Sequence, residues 1–80
     1  MQIKRIANEI HKIIGFQNVF AENGTEKGAK YHTIFTGVIY IPSYEMSLIN
    51  DILIKYNVKI SALGVDSYGF ICFDLTEIKH

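Results

Sequence analysis

The apolar residues change their spacing along the chain, and this change constrains the fold more than any other feature of the sequence. A helical repeat over residues 3–14, and another over residues 43–56, are each followed by two short segments rich in β-branched and aromatic residues. The predicted order of elements is therefore helix, hairpin, helix, hairpin. In 80 residues this leaves room for one domain with one hydrophobic core.

The first predicted helix has an apolar stripe and a locally basic face. The stripe begins at Ile3, and Gly15 supplies the left-handed residue at which many helices end. On the other side lie Lys4, Arg5 and Lys12. These three side chains are candidates for contact with an anion or a nucleic acid, although a solvated helix face is the favoured interpretation.

The predicted strands form two hairpins. Residues 16–22 pair with the strongest strand, residues 31–41, through a mobile polar tip at 23–30, and residues 58–65 pair with 70–75 through a turn at 66–69. Gly37 predicts a bulge or a close approach within the long strand, which Pro42 ends. Ser43 is expected to cap the second helix, and Asn57 to end it.

This order predicts an α+β fold of the αββαββ type. The expected structure is a two-layer sandwich in which two helices cover one face of a four-stranded sheet of order 3-4-2-1, with the central strands 2 and 4 parallel. In topology alone it resembles a circularly permuted ferredoxin-like domain. Such a resemblance implies no particular function, because that architecture serves many unrelated ones.

The alternation within the strands predicts which side chains face the helices. We expect these to be Val58, Ile60 and Ala62 in strand 3, and Ile71, Phe73 and Leu75 in strand 4. In strand 2 β-branched and aromatic residues fill both alternating sets, so the pattern leaves its inward face open, and we choose Phe35, Ile39 and Ile41. The opposite face then carries His32, Ile34, Thr36, Val38, Tyr40, Leu63, Phe70, Cys72 and Asp74. Because that set is too apolar for a solvated sheet, it predicts an association surface. Its centre is the predicted interaction face: Ile34, Thr36, Val38, Tyr40, Phe70 and Cys72.

Catalysis and metal binding have little support in the sequence. Cys72, His32 and Asp74 could share the open face as a nucleophile with its base, but both Cys72 and His32 lie in mid-strand and no strained turn presents the thiol. The histidines and the single cysteine show none of the paired spacings of zinc ligands. We therefore expect no catalytic residue, no metal site and no cofactor.

The predicted function is that of a small non-catalytic protein-interaction module. Its partner is expected to be a protein, with a homodimer favoured, and it would act as a regulator or inhibitor by covering a partner surface; the small size fits a phage or mobile-element origin. The alternative is a single-stranded nucleic-acid-binding domain that stacks bases on Tyr40 and Phe70. The zero formal net charge disfavours that alternative, because it removes the attraction to phosphates. A small-molecule regulatory domain is the third possibility, without a polar cluster to identify its ligand.

The expected location is the cytoplasm. No apolar run approaches the roughly 18 residues of a membrane-spanning helix, and no interaction with a membrane is expected. A single cysteine cannot form an internal disulfide, so nothing in the sequence indicates an oxidising compartment.

Overall fold

The computed structural model describes the backbone of residues 1–15, 20–26 and 29–78, and the side chains of residues 1–15 and 32–78. Two helices and four strands follow one another along the chain: α1 Ile3–Ile14, β1 Phe20–Glu26, β2 Ala29–Phe35, α2 Ser43–Lys55, β3 Val58–Val65 and β4 Ile71–Glu77. Helix α1 lies against α2 and β1, and α2 also lies against β3. One hydrophobic core joins both helices to β2, β3 and β4.

Helix α1 forms where the isoleucine repeat predicts it. Its stripe of Ile3, Ile6 and Ile10 is buried in the core. Gly15 ends the helix at a φ of 73°, and its N–H donates to the carbonyl oxygen of His11 at 2.8 Å. Because an L-residue with a Cβ is strained at that φ, glycine is the favoured residue here.

Helix α2 differs from the prediction at its N-terminal end and agrees with it at its C-terminal end. Ser43 is the first helical residue rather than the cap; the capping position is Pro42, whose carbonyl oxygen accepts the N–H groups of Glu45 and Met46. Proline fixes φ near −65° and thereby prepares the entry into the helix. At the other end Asn57 has a φ of 59°, so its predicted left-handed conformation is confirmed.

The sheet corrects the predicted fold class. Strand β2 pairs with β4 in the antiparallel direction, and so does β3. Where both backbone and side chains are described, the sheet is a three-stranded antiparallel layer of order β2-β4-β3, and the backbone of β1 continues it along β2. The predicted four-stranded, circularly permuted ferredoxin-like sandwich with parallel central strands is therefore wrong as a fold class, and the coarser description, α+β, stands.

The direction of β4 relative to β2 follows from the connections between them. The chain passes from β2 to α2, from α2 to β3 through residues 56–57, and from β3 to β4 through residues 66–70. Each connection reverses the direction of the chain, and an odd number of reversals leaves the two strands antiparallel. The prediction of a parallel pair overlooked this count.

The long strand predicted over residues 31–41 ends at Phe35. Thr36 donates both its N–H, at 3.1 Å, and its Oγ1 hydroxyl, at 2.7 Å, to the carbonyl oxygen of Ile71, whose N–H then donates to the carbonyl oxygen of Val38 at 2.7 Å. Gly37 therefore bulges out between two residues bonded to Ile71, with a φ of 69°. Beyond it the chain leaves the sheet, so Ile39 and Ile41 are not strand residues.

The two faces of β2 are reversed relative to the prediction. Ile34 lies opposite Phe73 in the register, and both side chains are fully buried in the core with the helices. Phe35, which was expected to face the helices, lies opposite Cys72 on the other side of the sheet. The predicted inward set of β4 is confirmed by the burial of Phe73 and Leu75.

Strand β3 changes face halfway along its length. The register passes from Ile60 opposite Leu75 directly to Ala62 opposite Asp74, so Ser61 is an unpaired bulge residue. Because side chains alternate, this extra residue turns Leu63 to the helix side and Ala62 to the other. The prediction that Ala62 faces the helices is therefore wrong, whereas the burial of Val58 at the other end of the strand confirms its inward orientation.

The first hairpin is paired further than predicted. The register of β1 and β2 runs from Phe20 opposite Phe35 to Glu26 opposite Ala29. Most of the tip predicted as mobile, residues 23–30, therefore belongs to paired strands. Residues 16–19 and 27–28 lie outside the described residues, and with them the predicted start of the first strand.

Candidate interaction surface

An apolar groove lies on the helix side of the sheet, between the start of α2 and the second half of β3. Its volume is about 440 Å³. We call it the apolar groove, and its lining consists of Ile41, Met46, Ile60, Leu63, Gly64, Val65 and Ile71. None of these seven residues carries a charge, so the groove offers a partner apolar contact and no ion pair.

One wall of the apolar groove is made by the bulge in β3. Leu63 and Val65 point to the helix side, but they lie beyond the part of the strand that the core covers. As a result, Leu63 is 70% and Val65 is 65% exposed. By contrast, Val58 at the start of the same strand is buried. The exposed pair is therefore a local feature of the far end of β3.

The segment between β2 and α2 forms the opposite wall. After Gly37 the chain leaves the sheet, and Ile41 and Met46 reach the groove from either side of the Pro42 cap. The neighbouring Tyr40 is largely exposed. An aromatic side chain therefore stands next in sequence to a lining residue.

The turn between β3 and β4 holds a second aromatic side chain away from the core. The Oδ1 of Asp66 accepts the N–H groups of Tyr68, at 2.8 Å, and of Phe70, at 3.1 Å. The N–H of Asp66 donates to the carbonyl oxygen of Phe70, and Gly69 has a φ of 83°. These bonds order the predicted turn and leave Tyr68 83% exposed.

Five large exposed side chains either line the apolar groove or lie within three residues of a lining residue in the chain. We call Ile39, Tyr40, Leu63, Val65 and Tyr68 the rim. Each is large, apolar or aromatic, and at least 65% exposed. Contiguous apolar patches larger than a few hundred Å² are typical of association surfaces, because monomers rarely expose them.

The predicted interaction face is not assembled in the structure. Ile34 and Thr36 are fully buried in the monomer, so neither can contact a partner. Val38 and Phe70 are half-buried outside the strands, and Tyr40 belongs to the rim. Cys72 lies on the opposite side of the sheet from Ile34. These residues were grouped together because the helices were expected on the other side of β2.

The candidate catalytic residues do not meet either. Cys72 and Asp74 share one face of β4, whereas His32 lies opposite Leu75 and therefore on the other face. Burial, together with the negative charges of Asp74 and Asp66, raises the pKa of the Cys72 thiol. A raised pKa disfavours the thiolate, which is the reactive form.

The aspartate on that face is part of a hydrogen-bonded pair. Thr33 donates its hydroxyl to the Oδ1 of Asp74 at 2.6 Å, across the β2–β4 register. Ser61, the bulge residue, donates its hydroxyl to the backbone carbonyl oxygen of Asp74 at 3.3 Å. The Asp74 carboxylate therefore joins β2 to β4. No group in this arrangement is a base oriented towards the Cys72 thiol.

The basic residues of α1 form no concentrated positive surface. Lys4 and Arg5 line a shallow hollow at the start of the helix, and Lys12 is exposed two turns later. Between them along the helix lies Glu9, which accepts hydrogen bonds from Lys55 and from the hydroxyl of Tyr56. The bond from Lys55 has the larger effect, and both bonds lower the pKa of Glu9. Glu9 therefore keeps a negative charge amid the basic side chains.

Neither a metal site nor a membrane span is found within the described ranges. Across residues 1–15, 20–26 and 29–78, no three His, Cys, Asp or Glu side chains are grouped so that they could hold an ion. In that same part of the chain, neither helix has the length and hydropathy needed to cross a bilayer.

Comparison with known proteins identifies no relative: no protein-family model, no curated protein and no solved structure matches the chain.

Sequence reasoning missed the apolar groove for one main reason. Leu63 was assigned to the open face, because strict alternation from Val58 places it there. The bulge at Ser61 reverses that assignment, and a serine in a strand is no signal for a bulge. The run Leu63-Gly64-Val65, at the end of a strand that carries polar residues elsewhere, is the one signal that could have drawn attention to the site.

Proposed function

We propose that this chain is a small, non-catalytic protein-interaction module that acts as a regulator or inhibitor by covering a partner surface with the apolar groove and its rim. The observation that carries the proposal is the groove itself, about 440 Å³ in volume and lined by apolar residues alone. The proposal includes a cytoplasmic setting, in which the single cysteine stays reduced.

The exposed side chains of the groove can supply binding energy. Complete burial of a leucine or valine side chain contributes about 1.5–3 kcal/mol. Leu63 and Val65 retain about two-thirds of their exposure in the monomer, so each could contribute roughly 1–2 kcal/mol on binding. Two exposed tyrosines, Tyr40 and Tyr68, add side chains of the type that dominates the binding energy of many interfaces.

A protein fits the apolar groove better than a small polar ligand. Small-molecule sites combine apolar walls with a few convergent polar groups that orient the ligand. The lining here has no polar side chain. An apolar partner side chain needs no such group, because the surrounding backbone of the partner fixes its orientation.

The test of this proposal compares two lysine substitutions at side chains of equal exposure. Leu63→Lys places a charge in the apolar groove, whereas Ile54→Lys places one on α2 away from the lining; the two residues are 70% and 71% exposed. Because neither position is buried, both variants are expected to fold. Tagged chains are purified from the source cells, and the proteins retained with them are quantified by mass spectrometry.

We expect a protein that binds the unmodified chain and the Ile54→Lys variant to be lost from the Leu63→Lys variant, by at least about tenfold. A partner retained equally by all three chains would show that the groove is not the binding surface. Circular dichroism of both variants establishes that the fold is intact.

A further inference from the structure

We infer that the partner of the apolar groove is a second copy of this chain, bound so that Tyr68 of each copy enters the groove of the other. The inference rests on the proposed function and specifies its partner. It begins with the turn after β3, which carries an exposed tyrosine between two residues that line the groove.

A two-fold dimer needs a surface that is complementary to itself. In such a dimer, a residue of one copy contacts a second residue of its partner, and the same contact is repeated with the roles exchanged. Tyr68 lies in the turn between Val65 and Ile71, and both of those residues line the apolar groove. One patch therefore contains both members of a reciprocal contact.

Tyr68 is already held in a protruding position. Its backbone N–H is bonded to Asp66 Oδ1, and the turn closes through the bonds between Asp66 and Phe70. An ordered turn loses less conformational entropy on binding than a flexible loop does. The turn thus presents the tyrosine at a low entropic cost, while the 440 Å³ groove has room for its ring.

The rim supplies most of the area that a dimer requires. Aromatic side chains bury about 150–250 Å² each when fully covered. With the exposures of Tyr40 and Tyr68 and the three aliphatic rim residues, the rim offers roughly 600–700 Å² per copy. Standard interfaces bury about 800 Å² per partner, so a dimer through this patch needs little surface beyond the rim and the groove.

Charge does not oppose the association of two copies. The formal net charge of the chain is zero, and the groove lining contains no ionisable side chain. Two copies can therefore approach without long-range repulsion, and neither must desolvate a charge inside the groove.

Pairing through the free edge of β3 is a less suitable way to dimerise. β3 ends the sheet order β2-β4-β3, but its bulge at Ser61 interrupts the regular row of backbone groups, and Lys59 carries a charge along it. Bulges and lysines are the features that protect edge strands from pairing with another chain. The contact is therefore expected between faces and not between edges.

The experiment measures the mass of the purified chain by sedimentation equilibrium from about 1 μM to 1 mM. We expect the mass to rise from 9.1 kDa towards twice that value. Tyr68→Ser should weaken the dimer by at least about tenfold, and Leu63→Lys should leave only monomer. Tyr44→Ser is the matched control, because Tyr44 is an exposed tyrosine that belongs neither to the groove lining nor to the rim; it should leave the dimer unchanged.

Two results would overturn the inference. One is a mass of 9.1 kDa at every concentration; the proposed function would then still stand if capture from cells separates Leu63→Lys from Ile54→Lys. The other is a dimer that Tyr68→Ser and Leu63→Lys leave intact, which would place the contact elsewhere. Hydrogen exchange of the β3 amides adds an independent readout, since new protection along the outer edge would indicate edge pairing and contradict the face contact.

Discussion

Truncation of Ile34 tests how β2 is oriented in the sheet. Its side chain is fully buried opposite Phe73. Ile34→Ala removes three carbon atoms, for which the transfer free energy is about 0.8 kcal/mol each, and the cavity left behind adds to this loss. We expect the free energy of unfolding to fall by about 3–4 kcal/mol. Ile54→Ala removes the same atoms from a side chain that is 71% exposed, so its effect should stay below about 0.5 kcal/mol.

Urea unfolding followed by circular dichroism measures this difference. With a slope of about 1 kcal/mol per molar urea, the midpoint of Ile34→Ala should fall by about 3–4 M and that of Ile54→Ala by less than about 0.5 M. Because the whole domain is stable by only about 4–12 kcal/mol, Ile34→Val provides a milder variant, with a loss of about 1 kcal/mol. Equal midpoints for the two alanine variants would show that Ile34 faces solvent and would refute the orientation of β2.

Three further outcomes follow from the structure. Gly15→Ala should lower stability by about 1–2 kcal/mol, because φ is 73° there, whereas Gly64→Ala, at a site with open space and no such φ, should not; thermal unfolding compares them. Hydrogen bonds from Lys55 and Tyr56 lower the pKa of Glu9 below 4.5, so the stability it contributes is present above about pH 4.5 and lost as the pH falls through the lowered value. Glu9→Gln should therefore reduce the acid dependence of the unfolding midpoint, and an unchanged dependence would contradict this. Burial raises the pKa of Cys72, so iodoacetamide should label it slowly at pH 7 until urea unfolds the chain; fast labelling of the folded protein would reopen a catalytic role.

The helices could be predicted because the repeat of apolar residues identifies the buried face of a helix from its own sequence. The stripe from Ile3 to Ile10 in α1 identifies one face without reference to any other element, and Gly15 marks the end. Along α2, the burial of Ile49, Ile52 and Leu53 follows from the same local repeat. The local sequence was therefore sufficient to predict both helices and their buried faces.

The orientation of β2 could not be predicted in this way. In the predicted strand 31–41, β-branched and aromatic residues fill both alternating sets, so periodicity does not choose between the side of Ile34 and the side of Phe35. The choice is made by the register with β4, in which Ile34 meets Phe73. That pairing joins residues far apart in the chain. The premature end of β2 has a similar origin, since Thr36 takes up its bonds to Ile71 only once β4 is in place.

The bulge at Ser61 connects the fold to the candidate surface. A regular strand continued from Ile60 would turn Ala62 and Gly64 to the helix side, where one methyl group and one hydrogen atom would leave little apolar surface for a partner. With the bulge, Leu63 and Val65 occupy that side instead, beyond the reach of the core. The same residue interrupts the outer edge of β3, which discourages pairing with another strand. One unpaired serine therefore has two consequences that act in the same sense, because it protects the sheet edge and exposes the apolar side chains through which we propose that a partner binds.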